Sequence, residues 1–554
     1  MSKPASFCTL ATNSCKNELL GFLLSLACHH KNTNVVCLAD DDTKRYVEAC
    51  SVQPALNIIW ILSLNKYSGR QRKDMEADGT WTDFQMEKTR AIDESLDRFT
   101  DTLFLDSDIV IVNEIDSIDK TKSVGVSPHY IRKKDTDRFG YYNGGVLWTN
   151  TKKVPEIWRE ATKTSRFYDQ ASIEDIVKQF PQSYFEFDEG HNMSWWRIQQ
   201  ADETPEKMAK YFKISKENSS EPIILYKSYR LRFIHTHFNR DQEANFNNFM
   251  ILLMSHCRPK YCRELAIINR MITNKWQIRI PKQPQPYPFN HTNDSFRELL
   301  VLLYQKNKDI ELIYDKNHNI ILEPNIYLYD RDTLKWIEPE IVQKSQTLFL
   351  GNGGESDIKE LKSAGIFARP WIYWPRRPMI IEKSMGSAPK PWSERTIESI
   401  FIGNIENSIQ RKFREGKGFN NYIQEFHLTN VPEGEKYKFT PQEYIQKISQ
   451  AKFGLTLRGF GAKCHREIEL MAMGTVPIVT GDGLNTSSYQ EPLIEGKHFV
   501  YSLQPENIPA TLAKINENKW TEMSLACHDW YMRNIHSSRL WTTFLCRFLE
   551  YSDA

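Results

Sequence analysis

Short, nearly all-apolar runs alternate with longer amphipathic stretches along the first 240 residues. Residues 7–13, Phe-Cys-Thr-Leu-Ala-Thr-Asn, read as a strand opening into a polar turn, and the amphipathic segment 18–26 completes a strand-loop-helix unit. A second apolar run, 35–38, leads into Asp40-Asp41-Asp42. A third, 102–112, is apolar at both ends and broken in the middle by Asp106-Ser107-Asp108. Residues 141–147 set Gly144 and Gly145 before another apolar run, and 233–238 form a strand-like stretch carrying His235 and His237. Side chains two apart on an extended chain face the same way. Asp106 and Asp108 are therefore expected on one face with Ser107 opposite, and His235 and His237 likewise share a face.

The pattern breaks at 280–289, where four prolines fall in the eight positions 281–288, the mark of a semi-rigid extended linker. The expected organisation is a first domain over 1–275, a Pro-rich linker over 276–294 and a second domain over 295–554. In the second half, apolar runs at 310–314, 319–322, 326–329, 347–350, 400–401 and 453–457 interleave with polar helical stretches, so both halves are expected to be α/β. Within 453–479 a strand enters a Gly-rich loop, a helix begins near Lys463, and Gly474 ends it ahead of a strand containing Pro477. Backbone amides at that helix start, assisted by Lys463 or Arg466, suit a diphosphate without a metal. Glu469, one turn beyond Arg466, suits ribose hydroxyls; a simple ion pair between the two is the alternative.

A chain of 554 residues exceeds one hydrophobic core, and 40% hydrophobic with 12% aromatic residues is a globular composition. The formal net charge of +2 gives no nucleic-acid surface, and basic stretches such as Arg132-Lys133-Lys134 are too short to make one. No run approaches the ~20 apolar residues of a membrane span, and the amino terminus lacks the basic-then-apolar pattern of a signal peptide. Ten scattered cysteines without metal-ligand spacing fit free thiols in a reducing compartment. A cytoplasmic protein with no transmembrane segment is the expectation.

Two hard oxygen donors on one face suit Mg²⁺ or Mn²⁺, which take few carboxylates and leave positions for phosphate oxygens and water. His235 or His237 is placed to add an imidazole; an acid-capped strand end is the alternative for the Asp pair alone. Lys88, shortly before the metal strand, is open to two readings: it faces plain solvent, or, as the resemblance stated below implies, the phosphates or sugar of a donor. Asp40 contacts base or ribose, or belongs to a turn. Trp195 and Trp196 stack on sugar faces or fill core.

Taken in order, residues 5–240 resemble the glycogenin-like family of sugar-nucleotide transferases, which have the GT-A fold. The resemblance implies that Leu10-Ala11-Thr12-Asn13 is a uridine-binding strand, Asp106-Ser107-Asp108 the metal motif, Asn143-Gly144-Gly145 a sugar-side loop, Asp169-Gln170 the catalytic pair at the donor sugar, and His235 the late metal ligand. One departure is clear: the family runs from its histidine into a Gly and then Lys-Pro-Trp, whereas here Thr236-His237-Phe238-Asn239 follows. Residues 395–510 resemble the nucleotide-binding half of exostosin-like transferases of GT-B architecture, through the spacing of Arg466, Glu469, Gly474 and Pro477 and through Gly403, Asn404 and the diphosphate-binding Arg411. Together these imply a bifunctional glycosyltransferase. It would move sugars from nucleotide-diphosphate donors to an oligosaccharide or glycoprotein glycan, with Mn²⁺ or Mg²⁺ in the first domain and no metal in the second. Two other readings stand beside it. A sugar-1-phosphate nucleotidyltransferase shares the metal and nucleotide layout but normally has a basic Gly-rich loop that residues 10–15 lack. A second half that only binds carbohydrate is the other.

Overall fold

The computed structural model describes residues 2–215, 222–257, 260–282, 290–316, 320–324, 326–329, 347–350, 359, 361, 363, 368–370, 375–405, 412, 414, 417–429, 439–458, 464–481 and 491–550. The chain divides into two compact units, Met1–Trp276 with Cys546–Ala554, and Gln277–Leu545. Both are α/β.

The first unit is built on strands β1 (Ser6–Ala11), β2 (Asn34–Ala39), β3 (Asn57–Leu62), β4 (Thr102–Leu105), β5 (Ile109–Ile111), β6 (Val124–Pro128), β7 (Tyr142–Thr149) and β8 (Tyr184–Glu186). Seven of them form one sheet in the order β3-β2-β1-β4-β7-β6-β8. The strands from β3 to β4 run parallel; β7 is antiparallel to both β4 and β6, and β8 is parallel to β6. Every position of β1, β4 and β7 is buried. That is why those segments read as continuous apolar runs: strands covered on both faces have no solvent side to mark with polar residues. Helix Trp81–Leu96 packs against β1 and β4, and helix Lys16–His29 packs against β5.

The chain leaves β1 toward β2 on one side, whereas β4 lies on the other. Open α/β sheets bind ligands in the crevice outside the carboxyl ends of strands at such a reversal. Residues following β1 and β4, those singled out from the sequence, therefore emerge at one edge. Beyond the main sheet lie β9 (Phe212–Ser215), β10 (Ile223–Tyr226), β11 (Tyr229–Arg230) and β12 (Phe233–His235), and β12 pairs antiparallel with β5.

In the second unit, β13 (Trp276–Pro281), β14 (Ile310–Asp315), β15 (Ile321–Leu322), β16 (Ile326–Tyr329), β17 (Thr347–Leu350) and β18 (Ala368–Pro370) form a sheet ordered β14-β13-β15-β16-β17-β18. A second sheet contains β19 (Ile397–Asn404), β20 (Glu425–Thr429), β21 (Ala451–Thr456), β22 (Val476–Thr480) and β23 (Val500–Ser502), in the order β20-β19-β21-β22-β23. All its pairs are parallel. The helix expected from Lys463 is His465–Ala472, and Gly474 stops it with φ 66°, a left-handed backbone that favours glycine. Within the stretch 276–294 expected as a linker, 276–281 is strand β13 and a helix runs from Asn290 to Lys306. Residues 283–289 lie outside the described residues, as do Arg411 and Lys463. Among the described residues no helix is long and apolar enough to cross a membrane.

Candidate active site

Asp106, Ser107 and Asp108 do not continue a strand. β4 ends at Leu105, residues 107 and 108 form a turn, and β5 begins at Ile109. The alternation expected for an extended chain therefore does not apply, and the two carboxylates converge because the turn bends around them. Asp106 N–H donates to Gly145 O at 2.9 Å, and Ile109 N–H to Asp106 O at 3.3 Å. Ser107 lies half-buried in the turn.

The β5–β12 ladder sets His235 opposite Ile109. His235 Nε2 lies 3.2 Å from Asp108 Oδ1 and 3.8 Å from Asp106 Oδ2. Asp106, Asp108 and His235 each offer a ligand atom, all within 4.8 Å of one another. His237 sits on the far side of Asp108, its Nε2 3.3 Å from Oδ2, while its Nδ1 faces the buried Glu18 at 3.8 Å. Glu243 accepts from His237 N–H at 3.0 Å and from the Thr236 hydroxyl, which holds this bend.

Burial by itself raises the pKa of both aspartates, but their neighbours differ. His235 and His237 hold the Asp108 carboxyl well below the usual carboxylate range. Asp106, partly exposed, stays above it: the desolvation of its carboxyl and the Asp108 charge raise its pKa against the pull of Lys88. Two carboxylates crowded with imidazoles, and one of them reluctant to ionise, are what a divalent cation relieves.

Lys88 is the second organising group. It projects from helix Trp81–Leu96 and is buried, its Nζ 3.1 Å from Asp106 Oδ1 and 3.0 Å from Gly144 O. Its contact with Asp169 Oδ2, at 3.0 Å, is an ion pair without hydrogen-bond alignment. Burial works against its charge, yet Asp106 and Asp169 keep it protonated far above neutral pH. Solvent is thus not where this lysine points. Asp169 lies in the short helix Tyr168–Ala171, held there by Trp158 Nε1–H and the Ser172 hydroxyl, each donating to Asp169 O at 2.7 Å. Gln170 donates to Phe139 O at 3.0 Å.

Gly144 and Gly145 need their missing side chains. A Cβ on Gly144 would come within 2.6 Å of Asp169 Oδ2, and one on Gly145 within 2.4 Å of Asp106 Oδ2 and 2.5 Å of His235 Cε1. The carboxylates occupy the volume that any larger residue would take. Asn143 accepts from Gly145 N–H at 3.0 Å.

Leu10, Ala11 and Thr12 are buried at the end of β1. Asp40 is fully buried: it caps the helix Asp41–Glu48 by accepting from Thr43 N–H at 2.7 Å, and it braces the loop after β1 by accepting from Asn13 N–H at 2.9 Å. Both Asp40 oxygens thereby serve the protein. Trp196 places its ring edge-on to His235 at 5.1 Å between centroids, packing on the site's histidine. Asn192, His129 and Glu18 have contacts in or beside this site and had no signal in the sequence, because their partners come from other strands and helices.

In the second unit, Arg466 donates through Nε to Ile402 O at 2.9 Å and lies over the Phe401 ring, 4.5 Å from its centroid. Among the described residues its buried Nη1 has no hydrogen-bond partner. Arg414, buried, donates to Arg458 O at 3.2 Å and to Asn404 O. Burial first and the Arg466 charge second bring its pKa down to about 10. Glu469 accepts from Arg376 N–H at 3.0 Å and from the Tyr444 hydroxyl at 2.7 Å, so each of its oxygens has a protein partner.

No protein-family model matches the sequence, and no curated protein is significantly similar to it. Among solved structures the chain is similar to the galactosyltransferase LgtC in complex with donor and acceptor sugar analogs: 13% identity, 47% of this chain, 100% of that one, TM-score 0.29. It is also similar to the glycosyltransferase GlyE of Streptococcus pneumoniae TIGR4: 10% identity, 67% of this chain, 91% of that one, TM-score 0.28. A third is mouse xyloside xylosyltransferase 1: 13% identity, 42% of this chain, 97% of that one, TM-score 0.29. At TM-scores this low the likeness by itself assigns nothing, and the side chains carry the reading.

Proposed function

We propose that the first unit is a glycosyltransferase. It takes a sugar from a nucleotide-diphosphate donor to an oligosaccharide or glycoprotein glycan, with Mn²⁺ or Mg²⁺ held by Asp106, Asp108 and His235. The observation that carries this is the convergence of those three ligand atoms at the carboxyl edge of β4, beside the crevice where the sheet order reverses. The residues fit the ion: hard oxygens with one imidazole, and a glycine at 145 leaving the space beside them clear. A divalent cation there neutralises the charge that develops on a departing nucleoside diphosphate.

The chain's own residues supply the rest. The loop after β1, braced by Asp40, forms the base-side wall of the crevice. Asp169 and Gln170 face the donor sugar, and Lys88 fixes Asp169 relative to Asp106. His237, between Asp108 and Glu18, orients Asp108 from the side away from His235. A nucleotidyltransferase shares the metal set; release of nucleoside diphosphate rather than pyrophosphate separates the two.

For the second unit we infer a metal-free diphosphate site at the carboxyl ends of β19 and β21, where the all-parallel sheet reverses order. Arg414 and Arg466 are adjacent cations there that donate to main-chain carbonyls, and among the described residues Arg466 Nη1 has no partner. Occupation of both Glu469 oxygens favours a second reading in which this unit binds a sugar nucleotide or glycan without transfer. Nucleoside diphosphate release from a panel of sugar nucleotides, with Mn²⁺ and with EDTA, tests both units. Metal-dependent release supports the first site, and release surviving EDTA supports catalysis at the second.

A further inference from the structure

His129, Asn143, Asn192 and His235, each more than nine-tenths buried, form one hydrogen-bonded line through the first unit. Main-chain groups with no choice of role set its direction. Gly145 N–H donates to Asn143 Oδ1 at 3.0 Å, so that atom is the amide oxygen. Asn192 meets the same oxygen at 3.1 Å and Ser127 Oγ at 3.0 Å through its Nδ2. Its own oxygen is left facing His235 Nδ1 at 2.8 Å, and that nitrogen must donate. At the other end, Asn143 Nδ2 donates to His129 Nε2 at 3.3 Å, and His129 Nδ1–H donates to Gly140 O at 3.0 Å. Every link agrees from Gly140 C=O to His235.

We propose that Asn192 is a positioning residue that holds His235 as the Nδ1–H tautomer, with the Nε2 lone pair directed at the cation position beside Asp106 and Asp108. The inference rests on the metal site proposed above. A free neutral imidazole divides between two tautomers and rotates about its side-chain bonds; a fixed acceptor at Nδ1 removes both freedoms and makes Nε2 the better ligand. His235 Nε2 and Asp108 Oδ1 lie 3.2 Å apart. In that tautomer both are acceptors, and a cation between them takes the place of the proton through which the two otherwise pair. Asn192 itself has φ 54°, a left-handed conformation that asparagine tolerates better than most residues and that persists where surrounding bonds over-determine it.

The test uses the full chain and Mn²⁺ alone, followed by loss of the free-ion EPR signal, with the absorption bands of Co²⁺ as a report on ligand geometry. Asn192→Gly removes the acceptor and suits the left-handed backbone, and Asn192→Ser removes it at some backbone cost; Asn192→Asp keeps an oxygen facing Nδ1. Both shortened variants are expected to bind Mn²⁺ roughly tenfold to a hundredfold more weakly and to shift the Co²⁺ bands, and Asn192→Asp to recover wild-type affinity to within about threefold. Whichever shortened variant melts cooperatively is the one compared. Wild-type affinity in it, or an Asp variant as weak as it, overturns the role of Asn192 and leaves the metal site standing. Failure of the wild-type chain to bind Mn²⁺ overturns the metal site and the inference together.

Discussion

Lys88 Nζ and Asp169 Oδ2 meet at 3.0 Å, and the same ammonium lies 3.1 Å from Asp106 Oδ1. One buried cation thus joins the metal set to the carboxylate proposed to face the donor sugar. Lys88→Met keeps the volume and removes the charge, leaving the buried Asp169 and the partly exposed Asp106 without their partner. Breaking such a buried pair costs about 3 to 5 kcal/mol, so the first unit should denature at distinctly lower urea. Mn²⁺ should restore part of the loss by supplying the missing positive charge. An unchanged midpoint would contradict the ion-pair account.

Gly145→Ala tests the crowding around the same carboxylate. Its Cβ would meet Asp106 Oδ2 at 2.4 Å and His235 Cε1 at 2.5 Å, so the two ligands must part. Calorimetric Mn²⁺ affinity should fall at least about tenfold, ~1.4 kcal/mol, with the cooperative melt retained. Equal affinity would mean that these ligands do not share one ion.

Acid sensitivity follows from His129. Burial holds its pKa down to about 4, against an ordinary value of 6.5. As pH falls through 6.5 the unfolded chain takes up a proton that the folded chain refuses until about 4. The stabilisation is therefore complete above 6.5 and is lost progressively down to 4, about 3 kcal/mol in all. His129→Gln should flatten the loss of melting temperature between pH 7 and pH 5. An identical slope in wild type and variant would exclude His129 as a source of it.

The Asp-x-Asp pair was legible because acids interrupting an apolar run have few structural reasons to be there, and the glycines at 144 and 145 because both precede an apolar strand. The turn geometry at 106–108 was not, since a period-two pattern describes a strand and the chain bends there. Asn192 was invisible for another reason. Its partners, Asn143 and His235, are 49 and 43 residues away, and only the closed fold brings them together. Asp40 shows the converse: a cluster of three acids ahead of a helix is a capping pattern, and capping is what Asp40 does. In the second unit the Arg466 spacing drew attention to the right helix, whereas Arg414, which shares its surroundings, had no periodic or motif context.

Division of labour between the units is open to a chelator. In the full chain carrying Asp108→Asn, any remaining nucleoside diphosphate release should persist in excess EDTA and fall about tenfold to a hundredfold on adding Arg466→Ala, the effect of losing a charge-assisted contact of ~1.5 to 3 kcal/mol. Release abolished by EDTA would remove the metal-free site. Absence of release with retained sugar-nucleotide binding would make the second unit a binding module.

The central claim is that Asp106, Asp108 and His235 bind a sugar nucleotide through a divalent cation. Thermal unfolding of the intact chain against a panel of nucleotide-diphosphate sugars, in Mn²⁺ and in EDTA, tests it most directly. A ligand at one hundred times its dissociation constant stabilises by about 2.7 kcal/mol. One donor should therefore raise the first unit's melting temperature in Mn²⁺ and not in EDTA, and Asp108→Asn should abolish the rise. An equal rise in EDTA, or in the Asp108→Asn chain, would contradict the claim.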